Sequence, residues 1–115
     1  IEVHVNGVAR ILDEIIYNLV DNAIKYNRAG GLAEVETAMR DGRAVLIARD
    51  NGIGIPPAHQ ARIFERFYRV DKSHSRAIGG TGLGLSIVKH GAAFHNAEVS
   101  LESEPGIGTT IEIRF

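Results

Sequence analysis

Glu14 to Tyr26, EIIYNLVDNAIKY, is the stretch on which the fold turns. Nothing in it breaks a helix, and apolar residues recur at Leu12, Ile15, Ile16, Leu19, Val20, Ala23 and Ile24. At about 100° per residue, Glu14, Asn18, Asp21, Asn22 and Lys25 fall opposite Leu12, Ile16 and Leu19. The spacing predicts an amphipathic helix from about Val8 to Tyr26 with a core face and a chemical face. The second face carries a carboxylate, two amides four residues apart and an ammonium. An Asn oxygen can enter a Mg²⁺ shell completed by water and phosphate, a carboxylate can polarise water, and a Lys can neutralise phosphate. A solvated polar stripe would use the same residues, so the rest of the chain has to decide between them.

Working outward, Ile1, Val3 and Val5 alternate with Glu2 and His4, which predicts a short strand ended by Asn6-Gly7. After the helix, Asn27 to Gly31 reads as a loop. Val35, Thr37 and Met39 alternate with Glu34, Glu36 and Arg40, Asp41-Gly42 is a two-residue turn signal, and Ala44 to Arg49 is apolar enough for an inner strand. Val99 and Leu101, then Ile111, Ile113 and Phe115, predict two closing strands with one buried face, joined by Glu104 to Gly108.

Composition sets limits. A chain of 115 residues forms one domain, and 44% hydrophobic content without a long apolar run predicts a globular chain with no membrane span. A net charge of -1 gives no general attraction to nucleic acid or an anionic membrane. With no cysteine, disulfides, thiol catalysis and thiolate metal sites are excluded, in keeping with a cytoplasmic location. The chain begins at Ile1 without an initiator Met, as expected of a piece of a longer protein.

Two glycine-containing segments carry the remaining chemistry. Asp50-Asn51-Gly52-Ile53-Gly54-Ile55-Pro56-Pro57 follows the inner strand, and the two prolines argue against a second hairpin at Asn51-Gly52. A carboxylate at a strand end can accept from an exocyclic amine such as that of adenine, with the glycines letting a flat ligand come close; it can equally satisfy its own turn. His59 to Glu65 predicts a short helix leading into Ile63 to Arg69, whose Phe64, Phe67 and Tyr68 are expected in core or hinge packing. Arg62, Arg66, Arg69, Lys72 and Arg76 form the one basic concentration, read as a solvated face or a phosphate clamp. Val70 to Ile78 lacks a period and reads as a mobile loop. Gly79-Gly80-Thr81-Gly82-Leu83-Gly84-Leu85 then opens a helix over Ser86 to Phe94, a pattern suited to phosphate. It is neither the dinucleotide fingerprint, since Leu85 replaces the third glycine, nor a Walker A loop, since no Lys follows Gly84. His90 and His95 do not share a helix face and give no metal pair.

In order and spacing, an amide-bearing helix, D-x-G-x-G, F-x-x-F-Y-R, G-x-G-L-G-L and G-x-G-T closely resemble the catalytic ATP-binding domain of sensor histidine kinases, within the GHKL superfamily. The resemblance covers essentially the whole chain. It implies an α/β two-layer sandwich with a mixed, mostly antiparallel sheet of about five strands and helices on one face. It implies Mg²⁺ at Asn18, with Glu14 one turn earlier orienting groups at the reacting phosphate. Asn22, Lys25 and Tyr26 would line the nucleotide, Lys25 on the phosphates and Tyr26 nearer the base. Asp50 would read the adenine amine with Gly52 and Gly54, and Thr109 would lie near the adenine floor. Arg69 would approach the γ-phosphate under a lid hinged at Phe64 and Phe67, and Gly80, Thr81, Gly82, Leu83 and Gly84 would wrap the phosphates.

The function implied is binding of Mg-ATP and donation of its γ-phosphate to a histidine of a separate dimerisation domain of the same kinase, with a response regulator downstream. Relatives usually carry another helix and strand before the position of Ile1, so an edge of the sheet is expected to be missing. None of His4, His59, His74, His90 or His95 sits in the acidic-flanked motif of the acceptor, so the chain alone is not expected to autophosphorylate. It is expected to be monomeric, without nucleic-acid or membrane contacts of its own, whether or not the parent is membrane-anchored. The alternatives are an inactive nucleotide-binding regulatory module, against which intact Glu14, Asn18 and Asp50 speak, and an ATP-hydrolysing relative of the gyrase, Hsp90 or MutL type. Those relatives lack the F-x-x-F-Y-R segment beside G-T-G-L-G-L-S.

Overall fold

The computed structural model describes residues 3–68 and 83–115. Helix α1 spans Ala9–Lys25, and an antiparallel hairpin follows, β1 Ala33–Arg40 and β2 Arg43–Asp50. Its two turn residues, Asp41 and Gly42, both have positive φ, 52° and 77°, the conformation that matches the twist of paired strands. A four-residue helix α2, Pro57–Gln60, then gives way to turns where a helix through Glu65 was expected. Helix α3, Gly84–Phe94, precedes β3 Glu98–Glu104 and β4 Gly108–Arg114.

Among the described residues the sheet has four strands in the order β1-β2-β4-β3, every neighbouring pair antiparallel. The two-layer expectation holds, with four strands and no mixed pairing. Val3 to Asn6 form no strand. Val3 and Val5 instead line an apolar groove of about 210 Å³ with Leu12, Ile16, Leu46 and Phe115. Half-burying their side chains there needs no strand partner, and alternation by itself does not supply one.

Ile15 and Leu19 of α1, Val88 and Ala92 of α3, and Leu46, Ala48, Ile111 and Ile113 of the sheet make the core. The helices meet closely at Gly91, where a β-carbon would stand 2.9 Å from Ile15 Cδ1 and 3.1 Å from Ile11 Cγ2. The buried stripe of α1 is therefore Ile15, Leu19 and Ala23, while Ile16 and Ile24 are 41% and 62% exposed. The seven apolar positions spread over a wider arc than α3 and the sheet cover. Among the described residues no side chain caps the first turn of α1; His95, just past α3, instead holds Val8, the residue before the helix, accepting its N–H at Nε2 (3.0 Å) while its Nδ1 meets Gly91 O (2.8 Å). One histidine with no expected role thus ties the two helices together.

On the face away from α1 and α3, Ile47 stands opposite Glu36 and Glu112, and Val45 opposite Ala38 and Arg114. Both are buried, at 2% and 1% exposure. Ion pairs Arg40 with Glu112, Arg49 with Glu36 and Arg43 with Glu98 span the strands around them. Among the described residues, long side chains that carry apolar stems under charged heads close this face without a helix.

Candidate functional site

The apolar rows of the helix-covered sheet face run Leu46, Ile113, Val99 and then Ala48, Ile111, Leu101 across β2, β4 and β3. The next row in the same register is Asp50, Thr109, Ser103. The core thus ends, at one margin of the sheet, in a line of three polar side chains. Thr109 is 7% exposed, and its Oγ1 lies 2.8 Å from Ser103 Oγ. Ser103 Oγ also accepts the Ile55 N–H (2.8 Å) and donates to Gly108 O (3.0 Å). Burial pushes the Asp50 carboxyl above its ordinary 3.8, and the backbone amides of Gly52 and Thr109 pull it partly back.

The segment after Asp50 is pinned at every step. Asp50 Oδ1 accepts the Gly52 N–H (2.9 Å), so the turn-satisfying role open from sequence is filled; a carboxylate keeps further acceptor positions for another donor. Ile53 N donates to Tyr26 O at the end of α1 (3.1 Å), and Gly106 N donates to Ile53 O (2.9 Å). Arg28 donates to both Gly52 O (3.0 Å) and Gly106 O (2.9 Å), and Gln60 Nε2 to Ile55 O (2.9 Å) and Ser103 O (3.0 Å). The glycines of this loop differ from expectation in what they admit. A β-carbon at Gly52 would run into Tyr26 O and Asn27, and one at Gly54 into Glu104 and Pro105. At both, the close neighbour is the chain's own backbone.

Midway along α1, Asn18 Nδ2 donates to Glu14 O (2.7 Å). That bond turns the amide oxygen outward, and a β-carbon at Gly84, the first residue of α3, would lie 3.2 Å from it. Among the described residues no side chain caps α3, since Ser86 Oγ donates instead to Leu83 O (2.8 Å). First-turn amides there suit an anion. Glu14 is exposed, Asn22 is half-buried on the same helix, and Lys25 pairs with Asp21 at 3.0 Å. Among the described residues no group of three acidic, histidine or cysteine side chains could hold a metal. The donor set at Asn18 therefore fits Mg²⁺ only in the form where water and substrate phosphates complete the shell.

Arg69, Gly80, Thr81, Gly82 and the predicted loop Val70 to Ile78 lie outside the described residues. Of the segment before them, Phe67 is 63% exposed with a φ of 64°, so it is not core. Its ring meets the Arg66 guanidinium, 5.5 Å from the centroid, and Arg62 lies 4.6 Å over Tyr68 while pairing with Glu65. Tyr68 also bonds His59. Arg28, Gln60 and Ser103 were not singled out from sequence. Ser103 alone carried a signal, as the hydroxyl that continues the inward alternation Val99, Leu101.

The profile of the histidine kinase-, DNA gyrase B-, and HSP90-like ATPases matches residues 7–115. The chain belongs to that family. Within it, the sensor-like histidine kinase SenX3 of Mycolicibacterium smegmatis is 49% identical over 107 residues, which are 93% of this chain and 28% of that protein. The phosphate regulon sensor protein PhoR of Pseudomonas aeruginosa is 42% identical over 113 residues, 98% of this chain and 26% of that protein. Among solved structures, the mycobacterial sensor histidine kinase MprB superposes with a TM-score of 0.82 at 34% identity, covering 96% of this chain and 73% of that one. Full-length ShkA, solved in complex with AMPPNP, gives 0.77 at 31% identity, covering 90% of this chain and 21% of that one. The histidine-kinase ATP-binding catalytic domain is thus the branch to which the chain corresponds, and it spans about a quarter of the length of SenX3 and PhoR. Among the described residues no helix of this kinase-type domain is long and apolar enough to cross a membrane.

Proposed function

We propose that the chain binds Mg-ATP and presents its γ-phosphoryl group to a histidine on a separate helical domain of the same kinase, in the cytoplasm and upstream of a response regulator. The observation that carries this is the reach of α1: Asn18 faces Gly84 at the start of α3, and eight residues on, Tyr26 holds the loop of Asp50. Eight residues of helix cover about 12 Å, which separates a base end from a phosphate end. The AMPPNP complex of ShkA supports nucleotide binding by a related domain.

In this reading Asp50 accepts the exocyclic amine of adenine, with Thr109 beside it and Gly52 and Gly54 setting the loop's path. Tyr26 and Asn22 border the nucleotide, and Lys25 leaves Asp21 to reach a phosphate. Gly84 and Leu83, with Gly80, Thr81 and Gly82, offer backbone amides to the phosphates. Asn18 holds the metal through Oδ1, and Glu14 orients what surrounds it; Arg69 closes on the γ-phosphate. Mg²⁺, when bound, neutralises phosphate charge. Such a site positions and stabilises charge and needs no covalent intermediate.

Calorimetry of the chain with Mg-ATP, beside Asn18→Ala and Asp50→Asn, tests the reading. Binding that loses its Mg²⁺ dependence in the first variant and its adenine preference in the second is the expected result. A folded chain that binds no nucleotide would overturn it. Adding the helical acceptor domain in trans with labelled ATP separates an active kinase from an inactive regulatory module, since only the former labels the acceptor's histidine.

A further inference from the structure

We propose that Ser103 dictates where the Thr109 hydroxyl points its proton, and thereby makes the sheet margin selective for a base that brings a hydrogen-bond donor. The inference rests on the reading of Asp50 and Thr109 as base-facing groups. The Ile55 N–H can only donate, so at 2.8 Å it gives its proton to Ser103 Oγ. Gly108 O can only accept, so at 3.0 Å it takes the single proton of Ser103. The 2.8 Å contact between Ser103 Oγ and Thr109 Oγ1 is then a hydrogen bond only with Thr109 as donor.

Thr109 stands between Asp50 and Ser103 in the cross-strand row. Its proton is held on the Ser103 side, and only lone pairs remain for the side that meets Asp50. Ionised Asp50 likewise only accepts. Adenine brings an amine to this pair of acceptors. Guanine brings a carbonyl at the same place, and no proton lies between the oxygens. Ser103 does not touch the base, so it is a positioning residue.

The test is a calorimetric comparison of Mg-ATP and Mg-GTP on the chain and on Ser103→Ala. Without its acceptor the Thr109 hydroxyl turns to donate to guanine, and the preference for ATP falls roughly tenfold, the scale of one mispaired buried polar group. Ser103→Thr keeps the preference. In a Thr109→Val background Ser103→Ala leaves the preference where Thr109→Val put it, an outcome that a general loosening of the strand would not give. If Ser103→Ala does not fold, Ser103→Cys, with the same shape and a weaker acceptor, is read for the same direction. An unchanged preference in Ser103→Ala, with Asp50→Asn still abolishing it, overturns the role of Ser103 and leaves the base reading standing. A wild-type chain indifferent to the base, or a preference untouched by Asp50→Asn, overturns the base reading and this proposal with it.

Discussion

The side-chain oxygen of Asn18 and the bare α-carbon of Gly84 face each other so closely that an added methyl would sit 3.2 Å from the oxygen. That is tighter than ordinary contact, and α1 cannot retreat because Ile15 and Leu19 are fully packed. Gly84→Ala is expected to displace the Asn18 amide and weaken Mg-ATP binding roughly tenfold, well within what a misplaced positioning group costs. Adenosine affinity and thermal stability should hardly change. Equal losses for ATP and adenosine in calorimetry would refute the assignment of this end to the phosphates.

Asp50 gives a pH dependence with a definite sign. Its folded pKa is raised by burial above the unfolded 3.8, so between the two values the folded chain holds more protons. Stability of the nucleotide-free chain therefore falls as pH rises through that window, and affinity for ATP rises across it as the acceptor ionises. Asp50→Asn should flatten both profiles. Urea titrations and calorimetry from about pH 4 to about pH 7 check it, the range in which perturbed carboxyls titrate.

How far the sequence led differs between fold and site. Helix α1, the Asp41-Gly42 hairpin and the inward residues of β3 and β4 were legible because each is a local period or turn chemistry. The Val3 to Val5 strand was not, since pairing depends on a partner that alternation does not name. Asp50 and Thr109 were legible as motif letters, but their facing one another across β2 and β4 depends on the register between distant strands. Nothing local to Arg28 announces that its guanidinium spans two loops, and Gly91 shows its purpose only once α1 lies against it.

Arg28 joins the Asp50 loop to the β3–β4 turn through two backbone carbonyls. Hydrogen bonds from charged donors contribute more than neutral ones, so Arg28→Ala should cost about 1–3 kcal/mol. Arg28→Lys lacks the planar fork and should recover little of it. Equilibrium urea unfolding measures the loss, and a midpoint unchanged in both variants would show that the clamp contributes nothing.

Gly91→Ala forces a methyl against Ile15 and Ile11 where the helices cross. Overpacking of this kind typically costs about 1–3 kcal/mol, against a small gain in helix propensity. The expected net effect is a lower melting temperature, rescued in part by Ile15→Val, which removes the Cδ1 atom that the new methyl meets. A more stable Gly91→Ala chain would mean that the two helices can separate without loss.

The cross-linked rear of the sheet has a consequence for handling as well as for folding. Val45 and Ile47 are kept dry by side chains whose heads are held in place by exposed charges. At about 1 M salt the screening length shrinks to about 3 Å, and such pairs lose their grip. Strong electrolyte would then unlatch the shutter before disturbing the interior, turning a non-stick surface into an adhesive one.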